Sequence, residues 1–282
     1  MKQGEGEFKG SGGLRLYTRW WLPDGDPRGC LGIVHGVGEC CDRYTHLIDG
    51  LVPDGLGVYG FDLRGHGRSP GQGGHINSWN EYRTDTDHFL KMIQGIYPNK
   101  PLFLYGHSLG ALIALDYIMH EPRDLSGAII SGSPLQPVGV AKPFLVLIAK
   151  ILSRVWPSFS IDLGLEKPAL SRDPQVVKAY EENPLIHGKV SARWGTESMA
   201  AVNWVRSNPD RVNLPILMIH GGADRINDPQ GTKDFFEGIP FPDKQLKIYP
   251  GSYHEPHNDL DHAQVVEDMV QWIDEHLKRN PE

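Results

Sequence analysis

Short apolar runs closed by polar turns set the rhythm of the chain. Cys30–Val34, Val58–Phe61, Leu102–Tyr105, Ala128–Ile130, Ile216–Ile219 and Leu246–Tyr249 have strand length and end in small or polar residues. Leu14–Trp21 alternates and is rich in β formers, which predicts a first, edge strand. Helical spacing separates several of these runs. Over Ser78–Tyr97 it places Trp79, Tyr82, Phe89, Met92, Ile93 and Ile96 on one side, and a last helix is predicted over about Ala263–Lys278. Strand and helix in alternation predict an α/β fold, with a mostly parallel central sheet flanked by helices on both faces.

One stretch departs from the alternation. No strand pattern occurs between Pro134 and about Arg211, and the segment is too long for an ordinary crossover. Val138–Trp156 predicts an apolar helix, and shorter helices are predicted near Pro174–Glu182 and Glu197–Val205. The expected organisation is a core over 1–133, an inserted helical cap over 134–211 and the rest of the core over 212–282. The Gly-rich segment before Leu14 and the C-terminal Lys278–Glu282 are expected to be loose ends.

The sharpest local pattern is Gly106-His107-Ser108-Leu109-Gly110, between the strand Leu102–Tyr105 and the apolar start of a helix. A G-x-S-x-G in a strand–turn–helix setting exposes its serine on a tight turn, and glycines are needed where strand and helix close on each other. A serine hydroxyl needs a base, and the base needs an orienting acid. In G-x-S-x-G hydrolases the chain order is Ser, acid, His. Ser108, Asp224 and His254 have that order, and the last two follow the strands Ile216–Ile219 and Leu246–Tyr249. Among 13 histidines, His257 and His262 compete with His254, and Asp228 competes with Asp224. His254 stands nearer its strand end. Gly221-Gly222-Ala223 gives Asp224 a small-residue turn, and Asp228 before Pro229 reads as a helix cap. Candidate oxyanion donors are the backbone N–H groups of Leu109 and of Val37, the latter in the turn His35-Gly36-Val37-Gly38. His35, Asp62, Arg64 and His66 read as loop-fixing residues.

Composition narrows the setting. The net charge of −7 speaks against a non-specific nucleic-acid binder. Three cysteines, two of them adjacent, imply no disulfide framework, and no C-x-x-C spacing suggests zinc. The polar N-terminus lacks the apolar core of a signal peptide, and no run spans a bilayer, so a cytoplasmic location is expected, with peripheral membrane contact through the cap helix.

His35-Gly36-Val37-Gly38-Glu39, Arg43-Tyr44, Asp62 through Ser69, the elbow Gly106 through Gly110, Ala223-Asp224 and Leu246 through His254 together resemble the monoacylglycerol lipase (lysophospholipase-like) branch of the α/β-hydrolase fold. The likeness extends over almost the whole chain and includes Ser171-Arg172-Asp173-Pro174 and Asn183-Pro184-Leu185 in the expected cap. It implies a serine esterase acting on single-chain lipids, with no cofactor or metal, and the same Ser108, Asp224, His254, Val37 and Leu109. It also implies that Glu39, Arg43 and His257 lie near the glycerol end of the substrate. Cys40-Cys41 departs from the His-Ser pair common in the family, and Pro256 falls between His254 and His257.

The expected substrate is a monoacylglycerol. Alternatives within the class are a lysophospholipid or a simple carboxylic ester, and the alternative of another class is a non-catalytic lipid-binding protein. The apolar excess over Phe144–Trp156, with Lys142, Lys150 and Arg154, is expected to roof an acyl chain or touch a membrane or micelle.

Overall fold

The computed structural model describes residues 1–120, 125–139 and 143–277. Its centre is an eight-stranded sheet built from β1 (Lys2–Lys9), β2 (Arg15–Leu22), β3 (Gly29–Val34), β4 (Leu56–Phe61), β5 (Leu102–His107), β6 (Gly127–Ser131), β9 (Ile216–Gly221) and β10 (Lys244–Tyr249). The order is β1-β2-β4-β3-β5-β6-β9-β10. From β4 to β10 every pairing is parallel, whereas β2 runs antiparallel to both β1 and β4. The central strands β3, β4, β5, β6 and β9 are buried along their whole length, which explains their unbroken apolar runs.

Helices cover both faces. On one face, α1 (Thr45–Leu51) and α8 (His262–Leu277) bury Leu47, Ile48, Leu51, Met269, Trp272 and Ile273 against the sheet. On the other, α2 (Asn80–Ile96), α3 (Leu109–His120) and α7 (Pro229–Gly238) contribute Tyr82, Phe89, Ile93, Leu112, Leu115 and Phe235. Asp228 caps α7 by accepting from the Gln230 N–H, the role its place before Pro229 suggests.

The N-terminus corrects the sequence-based expectation. Residues expected to be a loose end form β1, and β1, not β2, is the sheet edge. Apolar alternation is nearly absent there because β1 is mostly solvent-facing, with only Phe8 buried. Gly4 suits the pairing: a Cβ there would lie 2.1 Å from the Trp20 ring on the neighbouring strand.

Between β6 and β9 lie α4 (Pro143–Val155), β7 (Ser160–Asp162), α5 (Pro174–Glu182), β8 (Lys189–Ser191) and α6 (Ala192–Arg206). The expectation of a strand-free segment is corrected: β7 and β8 pair as a small antiparallel sheet, too short to leave a periodic signal. Helix α4 lies on α6, where Ser153 Oγ meets Thr196 Oγ1 at 2.7 Å. Its apolar stripe faces outward: Phe144, Leu147, Ile148, Ile151 and Val155 are exposed, Val155 at 75%. Lys142 and the side chain of Leu145, counted in the expected apolar and basic surface, lie outside the described residues, as does 278–282. Among the described residues no helix is long and apolar enough to cross a membrane.

Candidate active site

Parallel strands bring their C-terminal ends to one edge of the sheet, where open α/β sheets bind ligands. Ser108 follows β5 there. Its φ of 53° makes it the non-glycine residue with left-handed backbone among those described, a strained conformation that lifts the side chain off the turn. The flanking glycines have a measurable reason. A Cβ at Gly106 would stand 2.2 Å from the Gly110 carbonyl oxygen, and one at Gly110 would stand 1.9 Å from that of Val34. The elbow therefore closes only without side chains at both positions.

His254 follows β10 and Asp224 follows β9. The Ser108 hydroxyl and His254 Nε2 are 3.0 Å apart, and His254 Nδ1 is 2.8 Å from Asp224 Oδ2. All three residues are buried or nearly so. With Nδ1–H donating to the carboxylate, Nε2 is left as an acceptor facing the hydroxyl, the tautomer a general base requires.

The carboxylate is held from every side. Asp224 Oδ1 accepts from the backbone N–H groups of Ile226 and Asn227 at 2.8 and 3.0 Å. Oδ2 accepts from His254 and from His220 Nε2–H at 3.0 Å. Burial alone would raise the Asp224 carboxyl, but the charge on His254 and the hydrogen bonds from His220 and His254 prevail and hold it below the usual carboxylate range. Burial likewise works to lower His254, yet the adjacent Asp224, with Glu255 and Glu39 behind it, raises it above an ordinary imidazole. The neighbouring rings go the other way. Burial, reinforced by His254, pushes His107 down to about 3, and burial with His107 puts His257 well below the ordinary value. Among these three rings His254 alone has a raised basicity, and His262 lies at the start of α8, stacked on His46.

Leu109 N–H opens α3 immediately after Ser108, and Val37 lies in the loop after β3. That loop packs on Ser108: a Cβ at Gly36 would be 3.3 Å from Ser108 Cβ. His35 pins it, with Nδ1–H donating to the Gly36 carbonyl at 2.7 Å and Nε2 accepting from Leu63 N–H at 2.9 Å. Asp62 accepts from the N–H groups of Cys41 and Arg68, Arg64 pairs with Asp85 and Glu81, and His66 Nδ1 meets the Arg64 carbonyl. Asp62 thereby fixes the segment after β4 to the Cys41 turn, and Arg64 fixes it to α2.

Glu39 and Arg43 lie beside this apparatus as members of a buried ion network. Arg43 pairs with Glu39 and, through both terminal nitrogens, with Glu255 at 2.8 Å. His257 is packed underneath, stacked on Tyr44 with ring centroids 4.9 Å apart and sharing a 3.2 Å hydrogen bond with Tyr105. Its ring is buried. Cys40 and Cys41 are buried free thiols next to the network.

Sequence reasoning passed over Glu255 and His220. His220 carried a signal, a histidine at the end of β9 four positions before Asp224. Its Nδ1 accepts from Thr232 Oγ1 at 2.7 Å, which directs Nε2–H toward Asp224. Glu255 had only its adjacency to His254, since its partner Arg43 is 212 residues away in the chain.

The chain matches the Hydrolase_4 family, described as serine aminopeptidase S33, over residues 25–261. Monoacylglycerol lipase of Mycolicibacterium smegmatis is 34% identical over 277 residues, which is 97% of this chain and 98% of that protein. The crystal structure of Paleococcus ferrophilus monoacylglycerol lipase superposes with a TM-score of 0.85 at 34% identity, covering 93% of this chain and 99% of the other. A soluble variant of monoglyceride lipase from Saccharomyces cerevisiae, solved with a substrate analog, gives a TM-score of 0.84 at 27% identity over 96% and 94% of the two chains.

Proposed function

The chain belongs to the Hydrolase_4 family of α/β-hydrolases, and from that premise we propose that it is a serine hydrolase that cleaves monoacylglycerol to fatty acid and glycerol through an acyl-enzyme on Ser108. The observation that carries this reading is the hydrogen-bonded series Ser108–His254–Asp224 in a chain whose near-full-length relatives are named for that reaction.

The Ser108 oxygen attacks the ester carbonyl carbon while its proton passes to His254 Nε2. Negative charge gathers on the former carbonyl oxygen, where the N–H groups of Leu109 and Val37 receive it. Each such donor contributes roughly 10²–10³-fold in rate. Asp224 holds the imidazole in the correct tautomer and stabilises the imidazolium. Collapse breaks the C–O bond to glycerol, and the leaving oxygen takes the proton from His254. A water then repeats the sequence on the acyl-enzyme, returning Ser108 and releasing the fatty acid.

The segment 134–211 serves as the cap over this site and shelters the acyl chain, each buried CH₂ of which contributes about 0.8 kcal/mol. The outward apolar stripe of α4, bordered along one edge by Lys150 and Arg154, supports contact with a lipid or micelle surface. The glycerol end lies toward Glu39 and Arg43, whose carboxylate and guanidinium stand beside the Ser108 loop, with His257 beneath them.

The test is competitive hydrolysis of 1-monoacylglycerols of graded chain length, lysophosphatidylcholine, diacylglycerol and short p-nitrophenyl esters, with Ser108→Ala as control. Preference for medium- or long-chain monoacylglycerol, lost in the variant, is expected. Turnover confined to short activated esters would reduce the reading to a carboxylesterase, and preference for the lysophospholipid would overturn it.

A further inference from the structure

The oxyanion loop and the base loop come from opposite ends of the chain, yet the reaction needs them fixed relative to each other to within a fraction of an ångström. A continuous buried series joins them. Gly36 N–H, one residue before Val37, donates to Glu39 Oε1, which also accepts from Tyr44 O–H at 2.8 Å. The other oxygen of Glu39 pairs with Arg43. Arg43 then grips Glu255 with two parallel bonds of 2.8 Å, the fork geometry in which a guanidinium fixes direction as well as distance. Glu255 is the residue after His254.

The series is braced on both sides. Asn258 Nδ2 donates to Glu255 Oε2 at 2.9 Å and to the Arg43 carbonyl at 3.3 Å. The Tyr180 ring covers the guanidinium at 4.7 Å. The backbone N–H groups of His254 and Glu255 donate to the Ala169 and Leu170 carbonyls at 3.3 and 2.9 Å. Glu39, Arg43 and Glu255 are each at least nine-tenths buried, so water does not loosen the pairing.

We propose that Glu255 and Arg43 are positioning residues, an internal strut that holds the imidazole of His254 and the oxyanion-loop amide of Val37 at a fixed separation around Ser108. The inference rests on the assignment of Ser108 and His254 made above and adds to it a role for Glu255. It also separates two functions of Arg43. A strut acts on every ester, whereas a glycerol ligand acts on glycerol esters alone.

The experiment compares Glu255→Gln with the unmodified protein on p-nitrophenyl butyrate, on 1-monoacylglycerol, and in the rate of Ser108 labelling by a fluorophosphonate probe. Glutamine keeps length and volume but not the charge that the fork grips. Misplacement of about 1 Å costs on the order of 10²-fold, so a common fall of roughly 10–100-fold is expected in kcat on both esters and in labelling, with KM within about threefold. Arg43→Lys keeps the charge without the fork. It should lower the same three quantities together by a smaller factor, and it decides the matter if Glu255→Gln does not fold. Rates within twofold of the unmodified protein, or a rise in KM confined to glycerol esters, would overturn the proposal. Failure of the unmodified protein to label at Ser108 would instead overturn the assignment beneath it.

Discussion

Replacing Asp224 by Asn tests the site at its most constrained atom. The carboxylate accepts four hydrogen bonds, two from backbone N–H groups on Oδ1 and two from imidazoles on Oδ2. An amide has one acceptor oxygen. It keeps both backbone bonds only by turning its oxygen toward Ile226 and Asn227, which aims the NH₂ at His254 and His220. His254 Nδ1 must then accept, its proton moves to Nε2, and Nε2–H faces the Ser108 hydroxyl as a donor. The imidazole stays in place in the wrong tautomer, a change that lowers kcat by about 10⁴-fold, or about 5 kcal/mol at 1.36 kcal/mol per decade. The assay is kcat on a p-nitrophenyl ester across pH 6–9, with thermal unfolding as a check on integrity. Asp228→Asn is the matched control. Asp228 accepts from the Gln230 N–H and from Gln136, so the change should touch stability by no more than about 1 kcal/mol and leave kcat intact. Retention of more than a tenth of kcat in Asp224→Asn, or equal losses in both variants, would refute the argument.

Three further outcomes follow from other parts of the molecule. Because Asp224, outweighing the burial of the ring, raises His254 above the ordinary imidazole value of about 6.5, and only neutral His254 acts as base, kcat/KM should fall as pH drops through a midpoint above 6.5; a midpoint below 6 would contradict the shift. Gly110→Ala puts a methyl where the Val34 carbonyl oxygen stands 1.9 Å away, so stability should fall by more than about 3 kcal/mol in urea unfolding, and an undiminished midpoint would sink the close-approach argument. Paired substitutions Leu147→Ser and Ile151→Ser lie on the exposed stripe of α4 and should change stability by no more than about 0.5 kcal/mol. The same pair should lower hydrolysis of vesicle-borne monoacylglycerol about tenfold while sparing monomeric short-chain esters; equal rates on both would mean the stripe meets no lipid.

The elements that hold Ser108 were legible because local patterning and burial agree there. β5 is apolar because it is buried on both faces, and Gly106 and Gly110 are forced by contacts with their immediate surroundings. β1 was not legible, since a solvent-facing edge strand with Gly4, Gly6, Glu5 and Glu7 leaves one buried residue to mark it. The strands β7 and β8 are three residues each, below the length at which alternation can be told from chance. Within the site, order along the chain pointed to Ser108, Asp224 and His254. The strut could not be read, because Arg43 and Glu255 owe their roles to a contact, 212 residues apart in the chain, that only the folded sheet creates. For the same reason the sequence did not show that Glu39, read as a headgroup residue, accepts from Gly36 N–H in the loop after β3.

The most direct test of the account is the covalent intermediate. The protein would be mixed with 1-monoacylglycerol, acid-quenched within the first turnover, and digested for peptide mass mapping. An acyl mass is expected on the peptide bearing Ser108, formed together with one equivalent of glycerol and absent in Ser108→Ala. Fatty acid released with no adduct at any quench time, an adduct on another residue, or undiminished turnover in the Ser108→Ala variant would contradict it.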